Sequence, residues 1–221
     1  MQEIRLIDKG VVPYAEAWDF QKEIFEMVSS SKTSTDGYLI FCEHPHVYTL
    51  GKSGHVENLL VSDEFLKSIN ASFYKIDRGG DITYHGYGQI VGYPILSLED
   101  CNISLKGYIN ILEQAVINTI AHFGISGVRI DGATGVWVEN GTIQKKICAI
   151  GVKASRFITM HGFALNVNTD LNYFKYINPC GFTEKGVTSL KDILGREVDL
   201  NSVKDLFVKE FSALIGCNIK K

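Results

Sequence analysis

A cysteine in a turn, two lysines entering an apolar run, a glycine-crowded loop and several histidines are the residues of this 221-residue sequence that could carry chemistry. Of five cysteines, Cys42 and Cys148 lie inside apolar β-like runs and Cys217 follows a helix, so they read as packing residues. Cys101 follows Glu99 and Asp100, whose charges would raise a thiol pKa. Cys180 stands between Pro179 and Gly181, in a turn where a thiol can be exposed. By elimination it is the best nucleophile, although a turn cysteine is more often idle. An ordinary thiol is only a few per cent ionised at neutral pH and needs a cation or base beside it. Lys145 and Lys146 supply candidates at the head of Ile147–Val152. Neighbouring strand residues point to opposite faces, so at most one of the two serves a site.

The stretch Arg78-Gly79-Gly80-Asp81-Ile82-Thr83-Tyr84-His85-Gly86-Tyr87-Gly88-Gln89 holds four glycines. They suit a place where a ligand or a second chain approaches the backbone, or a hairpin that merely turns. A dinucleotide fingerprint starting at Gly86 fails because Val91 replaces its third glycine, and a phosphate loop ending at Gly51-Lys52-Ser53 fails because His46 stands where it must begin. His44-Pro45-His46 lacks a third ligand at a helpful spacing and reads as turn packing rather than a metal site. His161-Gly162-Phe163-Ala164 interrupts what is otherwise a plain core strand.

These residues need elements to hold them. Leu105, Tyr108, Ile109, Leu112, Val116, Ile120 and Phe123 recur at three- and four-residue spacing, which predicts a helix from Ser104 to a stop at Gly124. Helices are also expected over Tyr14–Val28 and about Ser202–Ile215, the latter capped by Ser202 with Asp205. Strands are expected at 38–42, 47–50, 73–76, 89–96, 128–130, 136–139, 143–152 and 157–168, with Asn140-Gly141 as a hairpin turn. Hairpins with helices set aside imply an α+β (α/β) fold with a mixed or antiparallel sheet, organised as a single domain over residues 1–221.

Composition narrows the function. At 45% apolar and 21% charged the chain can fill a core, and 22 Lys+Arg against 25 Asp+Glu lacks the basic excess of a nucleic-acid binder. No apolar run is long enough to span a membrane, and the charged N-terminus is unlike a signal peptide. A soluble, cytoplasmic protein with reduced thiols is expected.

Together these stretches resemble the lipoyl(octanoyl) transferase family, the octanoyl-[acyl-carrier-protein]:protein N-octanoyltransferases. The matching blocks are Glu43–Gly51, Arg78–Gln89 with Tyr93-Pro94-Ile95, Lys146-Ile147 with Ala149-Ile150-Gly151, His161–Asn168 and Ile177–Gly181. The resemblance implies the fold of lipoate–protein ligases and biotin protein ligase catalytic domains, a mixed sheet flanked by helices. It implies that Cys180 carries an acyl thioester and that Lys146, rather than Lys145, lowers its pKa. Arg78, Gly79, Gly80, Asp81, Ile82, Thr83, Tyr84 and His85, Ala149, Ile150 and Gly151, and Gly162, Phe163 and Ala164 would line the acyl site, with His161 as polar support. It further implies octanoyl-acyl carrier protein as donor. The implied acceptors are lipoyl domains of 2-oxoacid dehydrogenases and the glycine cleavage H protein. No cofactor and no metal are implied. Two departures stand out: His46 falls where many relatives have proline, and a second lysine precedes Lys146. The rival readings are an ATP-dependent lipoate–protein ligase and an idle relative that only binds lipoyl domains or acyl chains.

Overall fold

A computed structural model describes residues 3–30, 37–141, 143–178 and 186–220; Cys180, with Pro179 and Gly181, lies outside the described residues. The chain runs β1 (Glu3–Val11), α1 (Tyr14–Ser30), β2 (Gly37–Glu43), β3 (Val47–Leu50), α2 (Asp63–Ser68), β4 (Ser72–Lys75), β5 (Ile82–His85) and β6 (Gln89–Ile95). It continues α3 (Leu105–Ala121), β7 (Gly127–Val128), β8 (Val136–Asn140), β9 (Ile143–Ser155), β10 (Ile158–Asn166), β11 (Gly186–Val187), α4 (Leu190–Leu194), α5 (Leu200–Ile215) and β12 (Asn218–Lys220). Two 3-10 turns, Val56–Asn58 and Leu171–Tyr176, also occur among the described residues.

Among the described residues a mixed sheet runs β12-β1-β2-β6-β10-β9-β8-β7, with β11 pairing β9 in parallel. Period-two alternation sorts its side chains. Leu39, Phe41 and Ile90 enter one core with Tyr108, Leu112 and Val116 of α3 and Phe207 and Phe211 of α5. Ile40, Cys42, Val91 and Tyr93 enter the other with Ala17, Ile24 and Phe25 of α1. Burying each large apolar side chain contributes ~1.5–3 kcal/mol, so the sheet is held from both faces. A small second sheet, β4-β3-β5, packs Tyr48, Leu50, Ile82 and Tyr84 with Leu66 of α2 and Ile177.

The expected mixed sheet and three long helices are present. Ser104 caps α3, its hydroxyl accepting from the Gly107 amide, and Gly124 follows the helix with φ +76°. Leu105, however, is exposed because it sits in the first turn, beyond the cover of the sheet. The α5 cap is Asp199 and not Ser202, since a carboxylate three residues earlier accepts from the Ser202 amide. Asn140 pairs with Ile143, so it ends its strand instead of opening the turn as Asn-Gly suggested. Four strands escaped the sequence reading. β5 was hidden in the glycine-rich loop, β11 is only two residues long, and β1 and β12 carry too few buried residues to show an apolar pattern.

Candidate active site

One irregularity in β9 decides which face Lys146 takes. Val136 lies opposite Cys148 while the next residue, Trp137, lies opposite Lys146, so Ile147 is an extra residue in the ladder. Ile147 and Cys148 both turn into the core under α3, where each is fully buried. Lys146 therefore shares the opposite face with Ala149 and Gly151, on the wall of a cavity of about 280 Å³. Its Nζ donates to the Thr134 carbonyl at 3.0 Å and sits 4.7 Å from the centre of the Trp137 ring. Lys145 pairs with Val138 and Gly186 and does not line the cavity.

The Thr134 carbonyl is itself held. Glu113 of α3 accepts from the Gly135 amide at 2.9 Å and from Arg129 Nε at 2.9 Å, and Trp137 Nε1 donates to the Ala133 carbonyl at 2.9 Å. A buried carboxylate with charged and backbone donors anchors the 132–135 loop against the lysine.

The facing wall comes from the 78–85 stretch and β10. Arg78, Gly80, Asp81, Ile82, Thr83 and His85 line the cavity, as do Ala149, Ile150, Gly151, His161, Gly162, Phe163 and Ala164. Gly79 and Tyr84 do not. The Gly79 amide donates to the Val152 carbonyl at 2.9 Å, and a Cβ on Gly151 would lie 2.9 Å from the Gly79 oxygen. Those glycines let two segments of this chain touch, so the approaching backbone is its own. Tyr84 is fully buried in the small sheet. Arg78 is pinned by its Nη2 to Thr49, at 2.7 Å to the carbonyl and 3.0 Å to the hydroxyl. Asp81 accepts from Asn58 Nδ2 at 2.8 Å.

Neutral histidines gather at the β10 side. His85 bonds Gln89 Oε1 through Nδ1 at 2.8 Å, and burial first, then His44, pushes its pKa down to about 3. His44 bonds the Val12 carbonyl and the Tyr93 hydroxyl, both at 2.8 Å, and burial lowers it to about 4. His161 has φ +60°, a left-handed conformation unusual for a side-chain-bearing residue, and its Nε2 bonds Asp77 at 2.9 Å. The His161 hydrogen bond holds the Asp77 carboxyl well below the usual carboxylate range, with Lys153 adding to it, while burial lowers the His161 imidazole. The pair is a carboxylate facing a neutral ring. His44 and His46 serve separate networks, His46 bonding the Tyr84 hydroxyl at 2.7 Å. No group of three ligating side chains that could hold a metal occurs among the described residues.

The four described thiols are all pushed upward, chiefly by burial. Cys101 rises to about 12, with desolvation and Cys217 outweighing the Asp100 charge that its sequence neighbours suggested. Tyr14, Tyr93, Gln89, Asn166, Trp137 and Phe174 also line the cavity without having been singled out as site residues. Tyr93 and Gln89 stood inside noticed blocks; Tyr14 and Phe174 look like ordinary amphipathic-helix and turn aromatics.

Solved structures share this architecture. The bipartite lipoate protein ligase of Thermoplasma acidophilum matches with a TM-score of 0.78 at 17% identity, covering 100% of this chain and 86% of that one. The biotin protein ligase of Aquifex aeolicus matches with a TM-score of 0.52 at 13% identity, covering 97% and 69%. The fold class is thus that of the lipoate and biotin protein ligase catalytic domains, a mixed sheet flanked by helices. At closer range, the octanoyltransferase of Bacteroides fragilis strain YCH46 is 53% identical over 212 residues, covering 94% of this chain and 96% of its own length. That of Bacteroides thetaiotaomicron is 53% identical over 215 residues, covering 96% and 95%. Residues 13–212 match the model of the lipoyl protein ligase A/B catalytic domain, and the chain belongs to that family.

Proposed function

We propose that this chain, acting as one catalytic domain, transfers the octanoyl group of octanoyl-acyl carrier protein to a lysine of a lipoyl domain through a thioester on Cys180. The observation that carries this reading is the bulge-presented Lys146 ammonium on the wall of a largely apolar cavity. The flanks of the nucleophile segment add support. Gly186, six residues after Cys180, lines the same cavity, and the Thr188 amide donates to the Lys146 carbonyl at 3.0 Å.

In the first half-reaction the Cys180 thiolate attacks the donor carbonyl, a C–S bond forms, and the carrier thiolate leaves. Lys146 favours the thiolate as a cation, each pKa unit of such stabilisation being worth about 1.4 kcal/mol. In the second half-reaction the acceptor amine attacks the same carbonyl, the C–S bond breaks, the amine's proton passes to the Cys180–Lys146 pair, and the amide remains. One acyl bond replaces another in each step, so no nucleotide is consumed. The octanoyl chain lies among Val91, Ala149, Ile150 and Ala164, where each methylene removed from water contributes ~0.8 kcal/mol. The acceptors are lipoyl domains of 2-oxoacid dehydrogenases and the glycine cleavage H protein, in the cytoplasm. Among the described residues no helix is long and apolar enough to cross a membrane.

Incubation with octanoyl-acyl carrier protein, followed by intact-mass spectrometry, tests the reading. One octanoyl adduct is expected on the wild type without ATP or Mg²⁺, and none on Cys180→Ser, whose transfer rate should fall at least about 10³-fold. Normal transfer by Cys180→Ser would remove Cys180 from the mechanism. Strict dependence on ATP and Mg²⁺ would make the chain a ligase.

A further inference from the structure

His46 ties the segment leading into β3 to the turn that carries Phe174, through ring contacts and a hydrogen bond. Its ring stacks on Tyr173 with centroids 4.0 Å apart and planes 11° apart, and its Nδ1 shares a hydrogen bond with the Tyr84 hydroxyl at 2.7 Å. Tyr84 stacks on Tyr173 in turn, at 5.0 Å and 7°, and meets Phe174 edge-on at 5.2 Å. The Tyr48 hydroxyl donates to the Tyr173 carbonyl at 2.9 Å. A Cβ on Gly86 would overlap the Tyr84 hydroxyl, so the glycine leaves the room that this hydroxyl occupies. Burial lowers the His46 pKa, with Asp170 opposing it.

The 3-10 turn Leu171–Tyr176 that bears Tyr173 also bears Phe174, which walls the cavity. The aromatic stack holds this turn at one end; at the other it is held by Phe65 of α2 edge-on to Tyr176 at 4.9 Å, the Leu60 amide bonded to the Tyr176 carbonyl at 2.9 Å, the Leu59–Ile177 bridge and the Asn178 amide bonded to the Asn58 carbonyl. We propose that His46 is a positioning residue for the acyl cavity, clamping Tyr173 against Tyr84 so that Phe174 closes on the acyl chain. The inference rests on the octanoyl-transfer reading for its ligand. It adds a residue that no part of that mechanism uses.

Octanoic acid binding tests it without requiring catalysis, read by the emission of Trp137 on the cavity wall. His46→Ala should raise Kd about three- to tenfold, the range spanned by one aromatic contact. His46→Phe, which keeps a stacking ring, should stay within about twofold of wild type. Tyr173→Leu should match His46→Ala, and the double variant should be no worse than either, as expected for residues acting through one contact. Thermal melts identify any variant that fails to fold. Equal Kd for wild type and folded His46→Ala overturns the inference, as does His46→Phe binding as poorly as His46→Ala. A wild type that binds no octanoic acid overturns it too. S-octanoylation of the wild type decides the transfer reading separately, so the two can fail independently.

Discussion

The cavity has two unlike sides. On the β8–β9 side stands a charge, the Lys146 ammonium, tethered by a backbone carbonyl and an indole face. On the β6–β10 side stand His85 and His161 with Tyr93, groups that hydrogen-bond but that burial keeps uncharged. One side presents a lysine, whereas on the other the charges are tied up, Arg78 on Thr49 and Asp77 on His161 and Lys153, beside rings that carry none. Removing either should leave a distinct signature.

The largest effect is expected at the charged side. Lys146→Ala should lower the transfer rate about a hundredfold or more and raise the pH at which Cys180 alkylates, followed by iodoacetamide labelling across pH. An unchanged labelling profile would separate the lysine from the thiol. The side of neutral rings should respond to acid instead. His44 and His85 have folded pKa values of about 4 and about 3, below the unfolded 6.5, so unfolding takes up protons. Their contribution is complete above pH 6.5 and is lost as pH falls through the window down to those folded values. At pH 5 about 2 kcal/mol per histidine should be gone, measured by urea unfolding at pH 7.5 and pH 5. A flat stability profile there would mean these rings are not held neutral.

Ala149→Leu fills the cavity without touching a charge. It should cut octanoyl transfer about tenfold relative to hexanoyl, with an unmoved alkylation profile. A shifted profile would show that the two sides are coupled. The smallest expected change is Trp137→Phe, which removes the indole donor to Ala133 and weakens the ring beneath Lys146. A rate loss of about two- to fivefold fits an exposed cation–π contact. A loss matching Lys146→Ala would assign the indole a larger role.

Much of this was legible in the residues. The α3 stripe and its serine cap announced that helix, because period and cap chemistry are both local. The positions of Lys146, His85, Ala149 and Gly162 on one cavity followed only from the family resemblance, since they come from three strands, β5, β9 and β10. The glycines of 79–88 advertised close approach, yet not that the approaching partner for Gly79 is β9. Asp77 and Glu113 were invisible as site supports. Each acts through a partner dozens of residues or a whole helix away.

The extra residue at Ile147 has a consequence for how this protein can vary. Side-chain replacements between Lys146 and Ala149 alter size or polarity but preserve which way the lysine points. Shortening that stretch by one position would reverse the phase of the strand and send an ammonium toward the hydrocarbon packed under α3. The enzyme should thus tolerate many exchanges there and no change of length.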